Sequence, residues 1–160
     1  MSIHTPYPSE KLVRVAIPLE SNAWHGSSVE TIWANHIDGS LYRVENSPYF
    51  AFGLSYRDVI EAEKIDEGQI LQFAGVRQHS GASTYRLLIN LPFDDNHLVK
   101  LWDQLQILGC AYEESLVLEL PMWAVDVPPE TDVRRVYSVL QQGEGSRVWE
   151  FEEGHCGHIL

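Results

Sequence analysis

The chain has 160 residues and a formal net charge of −12, because 23 aspartates and glutamates outnumber 11 lysines and arginines. A surface of that sign repels phosphate backbones, so we expect no direct binding of nucleic acid. The two cysteines, Cys110 and Cys156, are too few for a disulfide framework, which favours reduced thiols in a cytoplasmic protein.

The same composition argues against a membrane protein. The longest apolar stretch, residues 87–93, is interrupted by Asn90 and Pro92, and the N-terminus has neither the basic start nor the apolar run of a signal peptide. We therefore expect no membrane partner.

The first half of the chain has the pattern of β-strands. Residues 1–11 have no periodicity and predict a flexible leader. Val13, Val15 and Ile17 then alternate with less apolar residues, as in a half-buried strand. Further strand-like runs lie at residues 29–36, 41–45, parts of 50–63, and 69–78. We predict an antiparallel β-rich lobe over residues 12–80, curled into a partial barrel.

The second half adds helices. A strand over 85–91 is followed by the helix-capping residues Asp94, Asp95 and Asn96. The helix that they begin has apolar residues from Leu98 to Leu108, and Gly109 ends it. Strand alternation returns over 116–127, and Thr131 or Asp132 caps a second helix. A last strand follows around residues 149–151. The order β-α-β-α-β predicts a ferredoxin-like α+β lobe over residues 81–153, with a flexible tail at 154–160.

Seven ordered blocks extend along most of the chain. They are ETIWA at 30–34, YRVENSPYFA at 42–51, GLSYRDVI at 53–60, SGASTYR at 80–86, LGC at 108–110, AVDVP at 124–128 and WEFEE at 149–153. In this order the blocks resemble an uncharacterised bacterial family, domain-of-unknown-function family 4265. Ala82 departs from the pattern, which has a polar residue there. The resemblance implies a bacterial origin and a shared fold, and it assigns no activity, cofactor or catalytic residue.

The leading functional hypothesis is a noncatalytic binding or regulatory module for a protein or peptide partner. In it the two lobes form a cleft lined by Asn46, Tyr49, Ser83, Tyr85 and Arg86, and the acidic surface attracts a basic partner. One specific form is an immunity-type inhibitor of a basic toxin. A homodimer assembled through an open sheet edge is a further hypothesis.

The alternative, from a different class, is a small enzyme or a nucleotide or anion sensor. The turn from Ser80 to Arg86 offers small residues, hydroxyls and a guanidinium to an anion. The turn is not followed by a helix, whose N-terminus would help to bind an anion. The competing interpretation is that the turn only connects the two lobes and that Arg86 forms a structural ion pair.

The sequence contains no strong catalytic or metal-binding motif. The tail segment His155-Cys156-Gly157-His158 contains zinc-type ligands, but their spacing fits no usual zinc motif. The adjacent carboxylates Glu113 and Glu114 would point to opposite faces of a strand. We therefore predict no catalytic residue, metal or cofactor.

Overall fold

The part of the protein that the structure describes is an α+β fold with mostly antiparallel strands in two sheets and two helices. The computed structural model describes residues 12–92 and 94–160, and the predicted leader over 1–11 lies outside that range. The elements are β1 (Leu12–Pro18), β2 (Val29–Asp38), β3 (Leu41–Val44), β4 (Val59–Lys64), β5 (Ile70–Gln78), β6 (Ser83–Ile89), α1 (Asp95–Ile107), β7 (Ala111–Val117), β8 (Leu120–Val127), α2 (Val133–Gly145) and β9 (Trp149–His155).

The first five strands form a closed barrel, which we call the barrel lobe (residues 12–78). Antiparallel pairing joins neighbouring strands from β1 to β5, and a parallel pairing of β1 with β5 closes the ring. Alternation places one side of each strand inside, where Val15, Ile32, Val44 and Ile60 are completely buried. The predicted partial barrel is thus a closed one. The parallel pairing of β1 with β5 that closes it joins strands far apart in sequence, which the alternation of residues along the chain does not reveal.

The remaining strands form the sheet lobe (residues 83–155), an antiparallel sheet in the order β7-β8-β6-β9. Both helices pack on one face of it, in a single core that contains Leu87, Leu105, Val125 and Leu140. The opposite face of β6 meets the 45–58 loop of the barrel lobe, as the hydrogen bonds of Arg86 show.

The sheet lobe contains one strand more than the sequence predicts. The predicted single strand over 116–127 is split by a hairpin, because Leu118 and Glu119 both adopt positive φ angles, 51° and 68°. Two consecutive positive φ angles are typical of a tight hairpin turn. The alternation of leucines continues across this turn, and for that reason the sequence does not reveal the turn. Leu116 and Leu118 are exposed instead of buried.

Both predicted helices are present with the expected caps. Asp94 accepts a hydrogen bond from the Asn96 backbone at the start of α1, and Asp132 accepts from the Arg134 and Arg135 backbone at the start of α2. Thr131, the other predicted cap, instead donates its hydroxyl to the Leu108 carbonyl, 2.9 Å away. Within the described residues, neither helix is long and apolar enough to cross a membrane.

The C-terminal segment is packed as far as His158, in contrast to the predicted flexible tail at 154–160, whereas Ile159 and Leu160 are exposed. His158 Nε2 lies 2.9 Å from the Pro128 carbonyl, and its Nδ1 lies 2.6 Å from Ser83 Oγ. The Gly157 backbone donates to the same Ser83 oxygen at 3.0 Å. A side chain at Gly157 would overlap with the Ala82 backbone, so the tail depends on this glycine to lie against β6.

Candidate functional site

Arg86 lies at the junction of the two lobes and is almost completely buried, with 2% of its surface exposed. Its guanidinium donates to the Phe50 and Ala51 carbonyls of the barrel lobe and to Glu152 on β9. Burial lowers the pKa of Arg86, and Glu152 acts in the opposite direction. The arrangement fits the structural ion pair that the sequence offered as the competing interpretation of this residue.

The 46–51 segment is folded around a buried carboxylate. Glu30 accepts hydrogen bonds from three consecutive backbone N–H groups, those of Tyr49, Phe50 and Ala51, at 2.5 to 2.9 Å. Asn46 is also buried, and its Oδ1 accepts from the Trp33 backbone at 2.7 Å. The side chain of Asn46 therefore anchors the loop and does not face a ligand surface.

Ser83 is completely buried, so its hydroxyl is not an accessible nucleophile despite the short contact with His158. It holds the C-terminal segment in place. The neighbouring N–H groups that an anion would need are engaged as well, since Ser80 donates to Asp58 and Ala82 to the Ser80 hydroxyl. These contacts occupy the N–H groups of Ser80 and Ala82 and therefore do not favour the anion-sensor alternative.

Tyr85 lies on the helix side of the sheet, where its hydroxyl donates to Glu153 at 3.1 Å. Burial, followed by this carboxylate, raises the pKa of Tyr85. Tyr85 lines a pocket beside α2, Arg86 lines a second one at the junction, and Tyr49 lines a third. The five residues predicted for one cleft therefore do not converge on a single concave surface.

The pocket at Tyr49 has the composition of a binding site. It is an open groove of about 820 Å³ between the 45–58 loop, α1 and the strand β7. We call it the acidic groove. Its lining residues are Tyr49, Asp95, Leu98, Val99, Trp102, Asp103, Gln106, Tyr112, Glu113, Glu114 and Trp123. Four of these are carboxylates and none is basic.

Three packed aromatic rings form the floor of the acidic groove. Tyr112 and Trp123 are stacked, with ring centroids 3.9 Å apart, and Trp102 meets both of them edge-on. All three are about 95% buried, so only a small part of each side chain faces the groove, and their mutual packing stiffens its floor. Within the described residues, Trp102 Nε1 is buried without a hydrogen-bond partner. Such a donor is costly unless something accepts from it.

The carboxylates reach the groove from both faces of β7. Glu113 accepts from the Ser47 backbone at 2.7 Å on the barrel side, whereas Glu114 accepts from Trp123 Nε1 at 2.5 Å on the helix side. The pair does point to opposite faces, as predicted. Because β7 is an edge strand of the sheet, both carboxylates still lie along the same groove.

Tyr49 is the only residue of the predicted site that belongs to the acidic groove. Its pKa is raised by burial and then by Glu113, Glu30 and Glu114. The phenol therefore stays neutral and can donate a hydrogen bond. Sequence reasoning missed Trp102, Tyr112 and Trp123, because each fits the core pattern of its own helix or strand.

Comparison with known proteins places the chain in a family without giving it an activity. The family model "Domain of unknown function (DUF4265)" matches residues 30–151. No curated protein sequence matches the chain. A hypothetical protein from Neisseria gonorrhoeae of known crystal structure is similar to it, with a TM-score of 0.74 at 16% identity over 91% of this chain and 95% of that chain. At that identity the likeness shows a shared fold.

Proposed function

Because the chain belongs to the DUF4265 family, whose description assigns no activity, we propose a function from its own residues: a noncatalytic binding module that recognises a basic segment of a protein partner in the acidic groove. The observation that carries the proposal is the lining of that groove, in which four carboxylates surround an apolar, rigid floor. Lysine and arginine fit such a surface, because their apolar stems lie on hydrophobic side chains while their charged heads reach carboxylates.

The position of the groove beside β7 indicates how a peptide would lie. An extended peptide can add to the edge of a sheet through backbone hydrogen bonds, with alternate side chains on opposite faces. On β7 one face carries Glu113 and the next position, on the other face, carries Glu114. We expect neighbouring basic residues of the peptide to pair with these two carboxylates in turn.

The net charge of −12 supports the same proposal, because a strongly acidic protein attracts a basic partner over long distances. The narrower form, an immunity-type inhibitor of a basic toxin, rests on this charge alone. The expected exclusion of nucleic acid rests on it as well.

We infer that the sheet lobe is ferredoxin-like, from the order β-α-β-β-α-β and the strand arrangement β7-β8-β6-β9 with both helices on one face.

A homodimer remains a separate proposal, because pairing of two copies through β7 would fill the same sheet edge that a peptide needs. Light scattering of the free protein distinguishes a homodimer paired through β7 from a monomer. Only the monomer leaves the β7 edge open to a peptide.

The experiment that tests the proposal measures binding of a dye-labelled hexapeptide of two Arg-Arg-Val repeats, whose neighbouring arginines point to opposite faces, by fluorescence anisotropy. The reference peptide has glutamine at every arginine position. We expect Kd to increase about tenfold in the double variant Asp103→Asn, Glu114→Gln, which removes two charges and keeps hydrogen-bonding side chains. Binding should also weaken as salt increases.

The matched control is Glu63→Gln, Glu67→Gln, which removes the same charge from exposed positions of the barrel lobe. It should change Kd by less than about twofold. Equal weakening in the two double variants, or equal binding of the glutamine peptide, would refute recognition in the acidic groove.

A further inference from the structure

A second cluster of functional side chains lies where the two lobes meet, away from the acidic groove. Asp58 directly precedes β4, His79 directly follows β5, and His155 is the last residue of β9. Each offers one potential ligand atom, and these three atoms lie within 4.8 Å of one another. The cluster therefore joins residues next to two barrel strands, Asp58 and His79, to a residue of the sheet lobe, His155.

The carboxylate of this cluster is held rigidly. Asp58 is completely buried and accepts backbone hydrogen bonds from Ser55 at 2.9 Å and Ser80 at 2.8 Å. Its Oδ2 also lies 3.0 Å from His79 Nδ1. Metal-binding carboxylates are oriented by hydrogen bonds of this kind. On their own, however, these contacts also suit an aspartate that only fixes a turn.

His155 is the residue that a purely structural role leaves unexplained. Its ring stacks on that of His79, with centroids 4.4 Å apart and planes 18° from parallel. Its Nε2 is buried and has no hydrogen-bond partner among the described residues. A neutral imidazole exposes the lone pair that binds metals.

We propose that Asp58, His79 and His155 form a binding site for a zinc-type divalent metal ion that clamps the barrel lobe to the sheet lobe. Two imidazoles and one carboxylate are a known zinc donor set, with water in the fourth position. Bonds of about 2.0–2.2 Å in tetrahedral geometry bring ligand atoms to roughly 3.4 Å from one another. The three side chains would move together by about 1 Å from their present spacing. If His79 Nδ1 binds the ion, the proton of its neutral imidazole is carried by Nε2 instead.

The site differs from the zinc motif that the tail sequence suggested. Of the tail residues only His155 belongs to it, since His158 contacts Ser83 and Pro128. The Cys156 thiol instead lies 3.7 Å from the His158 carbonyl oxygen. The proposed site therefore has no thiolate ligand. The absence of thiolate coordination to the bound ion is a second result that the test can check.

The test is calorimetric titration of the metal-stripped full chain with ZnCl2, together with its melting temperature. We expect one ion per chain and a Tm increase of about 5–10 °C at a hundredfold excess over Kd. His79→Gln and His155→Gln should each weaken binding by at least about tenfold. His79 has a side chain that is 47% exposed, so its variant keeps the protein folded even where His155→Gln does not.

His97→Gln, on α1, and Cys156→Ser, next to His155, are the matched controls and should leave Kd unchanged. Titration with CoCl2 should give the visible absorption of tetrahedral Co²⁺ without a thiolate charge-transfer band. Failure to saturate with zinc, unchanged binding in His79→Gln, or loss of binding in Cys156→Ser would each overturn the proposal.

Discussion

Replacing Arg86 with methionine should cost about 3–5 kcal/mol of unfolding free energy, because it removes a buried charge that three acceptors share. Arg86 is 2% exposed and donates to the Phe50 carbonyl at 2.9 Å, to Glu152 at 3.0 Å and to the Ala51 carbonyl. Methionine has a similar length but no donor, so both carbonyls lose their partner at the junction of the lobes.

Two companion variants separate the carbonyl contacts from the ion pair. Arg86→Lys keeps the charge but loses the planar guanidinium, whose fixed N–H groups reach several acceptors at once. We expect it to lower the free energy of unfolding by about 1–3 kcal/mol. Glu152→Gln should cost less than about 1 kcal/mol, because the Glu152 side chain is 38% exposed and water can replace part of the interaction. Urea unfolding at equilibrium measures all three.

The outcome that would refute this reasoning is equally specific. If Arg86→Met unfolds within 1 kcal/mol of the wild type, or if Glu152→Gln costs as much as Arg86→Met, the buried carbonyls do not carry the stabilisation. The arginine would then serve the ion pair alone.

Two other predictions test separate parts of the structure. Burial and Asp126 raise the pKa of Cys110 to about 12 from a value of 9.0, so the unfolded chain ionises first and stability is lost as pH rises from about 9. The wild type should lose about 1.4 kcal/mol per pH unit more than Cys110→Ala in urea unfolding between pH 10 and 11, and parallel pH profiles would contradict this. Gly157→Ala should displace the C-terminal segment from Ser83 and cost about 1–2 kcal/mol. Gly145→Ala, where an added methyl meets nothing within 4 Å, should be neutral or stabilising, and an equal cost in both would argue against a packed tail.

Local patterns in the sequence predict the elements, because strands and helix caps depend on neighbouring residues. Asp94 and Asp132 cap the helices as their spacing indicates. The pairing of β1 with β5 joins residues more than fifty positions apart, and no local pattern records it. The hairpin at Leu118 is hidden for the opposite reason, since a regular leucine alternation runs through it.

The candidate site was predictable only in part, for a related reason. Tyr49 belongs to the predicted cleft, but Trp102, Tyr112 and Trp123 occupy core positions of three different elements. Only the fold shows that all four residues line one groove. Arg86 and Ser83 looked like ligand-binding residues because sequence reveals residue type and not burial, and both are buried.

The central claim, that the acidic groove binds a basic peptide, is tested most directly by the indole N–H signals of the tryptophans in a ¹H–¹⁵N correlation spectrum. Adding the arginine–valine hexapeptide should shift the Nε1 signals of Trp102 and Trp123, which line the groove. It should leave that of Trp149 in place, since this indole is buried and bonded to the Leu140 carbonyl at 3.0 Å. Shifts confined to Trp24 and Trp33, outside the groove, or no saturable shift at Trp102 and Trp123, would contradict the proposed function.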